Sequence, residues 1–137
     1  MTVATRELPD YVDSSVLIAA LASDDPRHDV AGRWLNARQG RLLTSAIAEV
    51  EVGRALARRH APRAVLVAAR ELLAGCDLVE VSSDIRTAAL AVTPGSVRSL
   101  DALHVATAMV AGLERFATYD ERQRLAAEEA GLAAVVP

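Results

Sequence analysis

The sequence predicts an α/β fold, a three-layer α/β/α sandwich built on a short parallel sheet, as a single domain over residues 1–137. Three observations predict it. Short β-prone runs alternate with helical stretches along the chain. No two β-prone runs sit close enough to form a hairpin, so the strands run parallel and both sheet faces are covered. No internal repeat, low-complexity tract or linker divides the 137 residues, and about half of them (52%) are hydrophobic, enough for one core.

Met1 to Pro9 reads as a loose lead-in. Asp10-Tyr11-Val12 is a short strand ending at Asp13, and Ser14 or Ser15 can cap a helix to about Leu21. Ser23-Asp24-Asp25-Pro26 breaks that helix. His28 to Arg38 is amphipathic, with Val30, Ala31, Trp34 and Leu35 at helical spacing, and Gly40 stops it. Arg41 to Thr44 is a second strand, after which Ser45 can cap a long helix from Ala46 to Arg59. Pro62 opens the next helix, which reaches about Ala74 and ends at Gly75. Asp77 to Val81 is a strand, and Ser83-Asp84 begins a helix to about Ala91. Ser99 can cap a helix of Leu100 to Ala111, stopped by Gly112. Arg115 to Thr118 is a strand, Glu121 to Ala130 a helix closed by Gly131, and Ala133 to Val136 a last short strand.

Composition removes several function classes. The aromatics are few (Trp34, Phe116, Tyr11 and Tyr119), so stacking of bases on an aromatic platform is not expected. Net charge is -3, and any nucleic-acid contact must come from a local patch. All 15 basic residues are arginine, which removes every mechanism that needs a lysine. The single cysteine, Cys76, excludes an internal disulfide and a cysteine-based zinc cluster, and its apolar surroundings suggest a core residue. Without a signal-peptide pattern or an apolar run of membrane-spanning length, a soluble cytoplasmic protein is expected.

Four acids stand in comparable places. Asp13 follows the first strand. Glu51 lies in the helix after the second. Asp101 is in the first turn of the helix after the Pro94-Gly95 loop, and Asp120 follows the fourth strand. In a parallel sheet the strand ends open on one edge, where these four can converge. Asp13 also has a purely local role open to it, as a helix cap. Converging carboxylates repel unless a cation neutralises them, and oxygen ligands suit a hard ion, Mg²⁺ or Mn²⁺. His28, His60 and His104 do not form a zinc-ligand spacing. Glu49 competes with Glu51: two positions on a helix differ by roughly 200°, and composition does not choose between them.

At this point the chain resembles the PIN-domain nucleases, and among them the VapC-type toxins of bacterial toxin–antitoxin pairs. The stretches that carry the resemblance are Tyr-Val-Asp-Ser-Ser at 11–15, Thr-Ser-Ala-Ile-Ala-Glu-Val-Glu-Val-Gly-Arg-Ala at 44–55, Ser-Leu-Asp-Ala-Leu-His-Val-Ala-Thr-Ala at 99–108 and Ala-Thr-Tyr-Asp at 117–120. The resemblance implies a PIN-like α/β/α fold and a Mg²⁺- or Mn²⁺-dependent endoribonuclease. It also implies a homodimer, a structured RNA substrate such as tRNA or rRNA, and a VapB-like antitoxin as partner. It places the family's acids on Asp13, Glu51, Asp101 and Asp120, selecting Glu51 over Glu49, and its hydroxyl position on Thr118.

The mechanism expected has Asp13 and Asp101 as central metal ligands, Glu51 on the same ion or its waters, and Asp120 on a second ion or the attacking water. Ser14 and Ser15 either hydrogen-bond Asp13 or a phosphate, or cap the helix. His104, three residues after Asp101, either orients that carboxylate or is structural. Arg54, Arg58, Arg59 and Arg63, with His60, form a basic cluster that is either an RNA or antitoxin contact or a solvated helix face, and Arg54 can pair with Glu51. A DNA nuclease of related fold is the nearest alternative. A receiver-like domain is disfavoured by the missing lysine, and a non-catalytic binding module by the presence of all four acids.

Overall fold

A computed structural model describes residues 7–137, so most of the expected lead-in over Met1–Pro9 lies outside the described residues. The described residues form five strands and seven helices: β1 (Asp10–Val12), α1 (Ser14–Leu21), α2 (His28–Asn36), β2 (Leu42–Ser45), α3 (Ile47–Arg58), α4 (Arg63–Ala74), β3 (Asp77–Val79), α5 (Ser83–Leu90), α6 (Ser99–Val110), β4 (Arg115–Ala117), α7 (Glu121–Glu129) and β5 (Ala133–Val135). All the strand pairings are parallel, in the order β3-β2-β1-β4-β5. The chain winds outward from β1 through β2 to β3, then returns to place β4 on β1's other side. The order therefore reverses between β1 and β4, which is where open α/β sheets bind ligands.

Side chains alternate across the sheet and so feed two cores. Val12 and Ala117 point into one, with Val16 and Leu17 of α1, Leu35 of α2, and Val52 and Leu56 of α3. Tyr11 and Phe116 point into the other, with Val105 and Ala108 of α6 and Ala126 and Ala127 of α7. Tyr11 is registered opposite Phe116, and their rings stack with centroids 4.9 Å apart and planes 6° from parallel. Such a pair adds about 0.5–1.5 kcal/mol beyond the area it buries. Cys76 is buried in the first core, and burial, followed by the neighbouring Asp77 charge, pushes its thiol up to about 11. No helix of the described residues is long and apolar enough to cross a membrane.

The helix starts differ from expectation in an instructive way. Asp13, not Ser14 or Ser15, is the N-cap of α1, accepting the Ser15 backbone N–H. Ala46 rather than Ser45 precedes α3, although Ser45 Oγ still accepts the Ile47 N–H at 3.3 Å. α5 begins at Ser83 as expected, capped by Ser82 through the Ile85 N–H. Ser99 is the first residue of α6, and its cap position holds Arg98, whose side chain makes no capping bond. In each case the strand or loop before the helix fixes where the backbone turns. The stops are closer to expectation: Gly112 and Gly131 follow their helices with φ of 70° and 87°, a left-handed conformation that glycine adopts without cost from a Cβ. Gly75 ends α4 in ordinary helical geometry instead.

Candidate active site

Asp13 leaves β1 at the switch point and is buried, 3% exposed, as the N-cap of α1 with its backbone N–H on Ala117 of β4. Its Oδ2 accepts from Ser15 Oγ at 2.6 Å, from Thr118 Oγ1 at 2.9 Å and from the Ser15 N–H at 3.3 Å. Its Oδ1 has looser company: Ser14 Oγ at 3.4 Å and His104 Nε2 at 3.6 Å. One oxygen is thus anchored, and the other faces the space between the acids.

The remaining acids arrive from three other elements. Glu51 projects from α3, and its Oε1 lies 2.5 Å from His104 Nε2. Glu49 is exposed on the opposite side, beside the groove between α3 and α4. Asp101 comes from the first turn of α6, and Asp120 caps α7 through the Gln123 N–H at 3.0 Å. Thr118 Oγ1 receives the Asp120 N–H at 3.0 Å, tying the fourth acid to the first. Asp101 feels both its burial and the other acids. Its carboxyl is pushed up to about 6, first by burial, then by the charges of Asp120 and Asp13, against a smaller opposing effect of His104.

Two residues link the set. His104, fully buried on α6, touches Glu51 and approaches Asp13. Gln123, also fully buried, lies against Asp13, Asp101 and Asp120. Of the two roles the sequence leaves open to His104, orienting Asp101 or a structural one, the ring takes hydrogen bonds to Glu51 and Tyr11 and not to Asp101. The reason is rotational: His104 points across the sheet edge to α3, and its Nδ1 meets Tyr11 Oη at 2.5 Å. Tyr11 Oη in turn accepts the Ser45 N–H at 3.1 Å. Burial above all raises the Tyr11 hydroxyl pKa, so it stays a neutral donor. With the neutral ring, Tyr11 O–H donates to Nδ1 and Nε2–H donates to Glu51; once the ring is protonated, Nδ1–H donates to the Tyr11 oxygen and Nε2–H still donates to Glu51. Burial alone would depress the His104 pKa, but the Glu51 hydrogen bond and the charges of Asp13, Glu51 and Asp101 outweigh it and hold it above the ordinary value.

The basic cluster separates. Arg54 and Arg58 are exposed on α3, and among the described residues Arg54 makes no ion pair with Glu51. Arg59 reaches Asp24 at 3.4 Å. Sequence reasoning missed Tyr11 and Gln123 as parts of the site. Tyr11 gave no signal, since an aromatic in a strand reads as core. Gln123 gave one: it stands three and four positions before the buried Ala126 and Ala127, on the inward face of an otherwise charged helix.

The donor set suits a hard cation. It is all oxygen, and after burial it is the charges of Asp120 and Asp13 that raise Asp101. Among the described residues no three His, Cys, Asp or Glu side chains form a ready-made cage. Mg²⁺ characteristically uses one or two carboxylates with waters completing its shell, so the set fits that ion. Volume does not locate the chemistry: a groove of about 530 Å³ between α1, α2 and α4, lined by Leu21, Leu35 and Leu72, carries one acid, Glu71.

A parallel sheet whose switch point gathers acids from four elements defines a known class, and the comparisons specify it. The PIN domain family matches residues 11–129, and the chain belongs to that family. Within it, the chain is one of the VapC group. It is 38% identical to ribonuclease VapC46 of Mycobacterium tuberculosis over 93% of this chain and 96% of that protein. It is 39% identical to ribonuclease VapC35 of the same organism, with the same coverage. Among solved structures it superposes on M. tuberculosis VapC20, described as a sarcin–ricin loop cleaving toxin, with a TM-score of 0.74 at 24% identity over 93% of this chain and 98% of that one. It also superposes on a chain of a toxin–antitoxin complex from Klebsiella pneumoniae, with a TM-score of 0.71 at 22% identity over 93% and 96%.

Proposed function

We propose that this chain is a divalent-metal-dependent endoribonuclease and the toxin of a toxin–antitoxin pair. The observation that supports the reading is that Asp13, Glu51, Asp101 and Asp120 lie around the carboxyl ends of the strands and are linked through His104, Thr118 and Gln123. Asp13 and Asp101 would hold the ion, Mg²⁺ or Mn²⁺. When bound, it lowers the pKa of a water for attack on the phosphodiester and offsets charge on the phosphate. Glu51, fixed by His104, steadies the ion or its waters. Asp120 has one oxygen committed to the α7 N-terminus, and its other oxygen would serve the attacking water or a second ion. The 2′-hydroxyl is not the nucleophile, so no histidine pair is needed, and the products carry 5′-phosphate and 3′-hydroxyl ends.

The relatives named ribonucleases support RNA over DNA, and the substrate is a structured RNA such as tRNA or rRNA. A VapB-like antitoxin, a homodimeric assembly and a cytoplasmic location belong to the same proposal. Arg54 and Arg58 on exposed α3 are the basic groups nearest Glu51 in sequence, suited to the RNA backbone or to the antitoxin. The test is RNA and matched DNA cleavage by the wild type, Asp13→Asn and Asp101→Asn, with Mg²⁺ and with chelator. RNA cleavage that requires metal and is lost in both variants is expected. Cleavage at the wild-type rate by either variant in chelator would overturn the reading.

A further inference from the structure

Gln123 is 0% exposed, an uncommon state for a glutamine, and its amide must be satisfied inside the protein. The Thr118 hydroxyl fixes which way the amide faces. Thr118 Oγ1 lies 2.9 Å from Asp13 Oδ2 and 2.9 Å from the Gln123 amide, and it has one proton to give. The Asp13 carboxylate accepts and cannot donate, so the proton goes to Asp13. The Gln123 atom facing Thr118 is therefore the NH2 group, an assignment made from the hydrogen-bond network. So placed, the NH2 donates to Thr118 Oγ1 at 2.9 Å and to Asp13 Oδ2 at 2.7 Å, with Oδ1 at 3.2 Å.

That orientation leaves the amide carbonyl at the other end, 3.5 Å from Asp101 Oδ1. Two acceptor oxygens at this separation repel unless something positive lies between or beside them. A neutral amide suits the position because a glutamate there would set a fifth carboxylate against Asp13.

We propose that Gln123 is a positioning residue of the acid site: its NH2 group locks Asp13 in place, and its carbonyl oxygen joins Asp101 in facing a divalent cation. This rests on the reading above, that the acids bind such an ion. In other metal sites, loss of a residue that orients the ligands weakens metal binding by about 10–100-fold.

The test is titration of metal-stripped full-length protein with Mn²⁺, by calorimetry, for wild type and Gln123→Leu, together with thermal unfolding of the metal-free forms and RNA kinetics. The Mn²⁺ Kd is expected to rise about 10–100-fold in the variant, with kcat falling and the RNA KM little changed. A Kd within about twofold of a measurable wild-type value, with only the metal-free Tm lowered, assigns the amide a structural role and overturns the proposal. Where Gln123→Leu fails to fold, Gln123→Met, longer and more adaptable, is judged by the same criterion. A wild type that binds no Mn²⁺ overturns the metal reading and this inference together, which separates that failure from the failure of the glutamine alone.

Discussion

His104 Nε2 sits 2.5 Å from Glu51 Oε1, joining α6 to α3 across 53 residues of chain and across the plane of the sheet. On its other side the same ring meets Tyr11, so the histidine bridges a core aromatic and a site acid. His104→Ala strands a buried hydroxyl and a half-buried carboxylate and opens a cavity. A loss of about 3 kcal/mol is expected, measured by urea unfolding. Tyr11→Phe keeps the ring stack and removes only the hydroxyl that serves Ser45 and His104. About 1–2 kcal/mol is expected there, with reduced cleavage because Glu51 loses its fixed donor.

Asp101 sets a pH dependence. Its carboxyl is raised to about 6, chiefly by burial, so folding favours the protonated form. Its contribution to the stability of the metal-free protein is fully present below the ordinary carboxylate value and is lost as pH rises through about 6. His104, also raised, adds a loss of the same sign at higher pH. The metal-free Tm is therefore expected to fall between pH 4 and pH 7, with a flatter profile in Asp101→Asn. Metal competes with the proton, so Mn²⁺ should raise Tm more at pH 7.5 than at pH 5.

At the opposite sheet edge, Asp10 clamps two elements. It is buried and accepts from Arg38 Nε at 3.0 Å and Arg115 Nε at 2.5 Å. Asp10→Ala leaves both guanidinium groups without that partner and is expected to cost about 1–3 kcal/mol. Because the clamp lies away from the acids, kcat at a temperature where the variant is folded should stay within about twofold of wild type. Urea unfolding and initial-rate assays check the two halves separately.

If α3 meets RNA, Arg54→Glu and Arg58→Glu should weaken RNA binding without changing which site is cut. Each removed phosphate contact should lower the salt-dependence slope by about one. Binding measured across a salt series reads this directly; an unchanged slope in both assigns the face to solvent or to the antitoxin.

The alternation of strands and helices was legible because each strand is bounded by polar or glycine punctuation, and Asp13, Asp101 and Asp120 stood out because each follows a strand or opens a helix; Glu51, inside α3, was separated from Glu49 only by the family resemblance. The particular cap was not legible: Asp13, Ser14 and Ser15 all have capping side chains, and the turn out of β1 chooses among them. His104's partner was hidden because proximity along a helix pointed to Asp101, whereas the contact is made between helices. Gln123 was overlooked because its neighbours Glu121, Arg122 and Arg124 make the segment read as a solvated surface.

Asp13 ends a strand, caps a helix and faces the site, and these roles tolerate different replacements. Asparagine and serine preserve the cap nearly as well as aspartate, whereas alanine does not. Host cells selected to survive overproduction of this chain should therefore yield two kinds of escape allele at codon 13. Those encoding Asn or Ser leave an inert protein that accumulates, and those encoding Ala or Val leave one that is cleared by proteolysis.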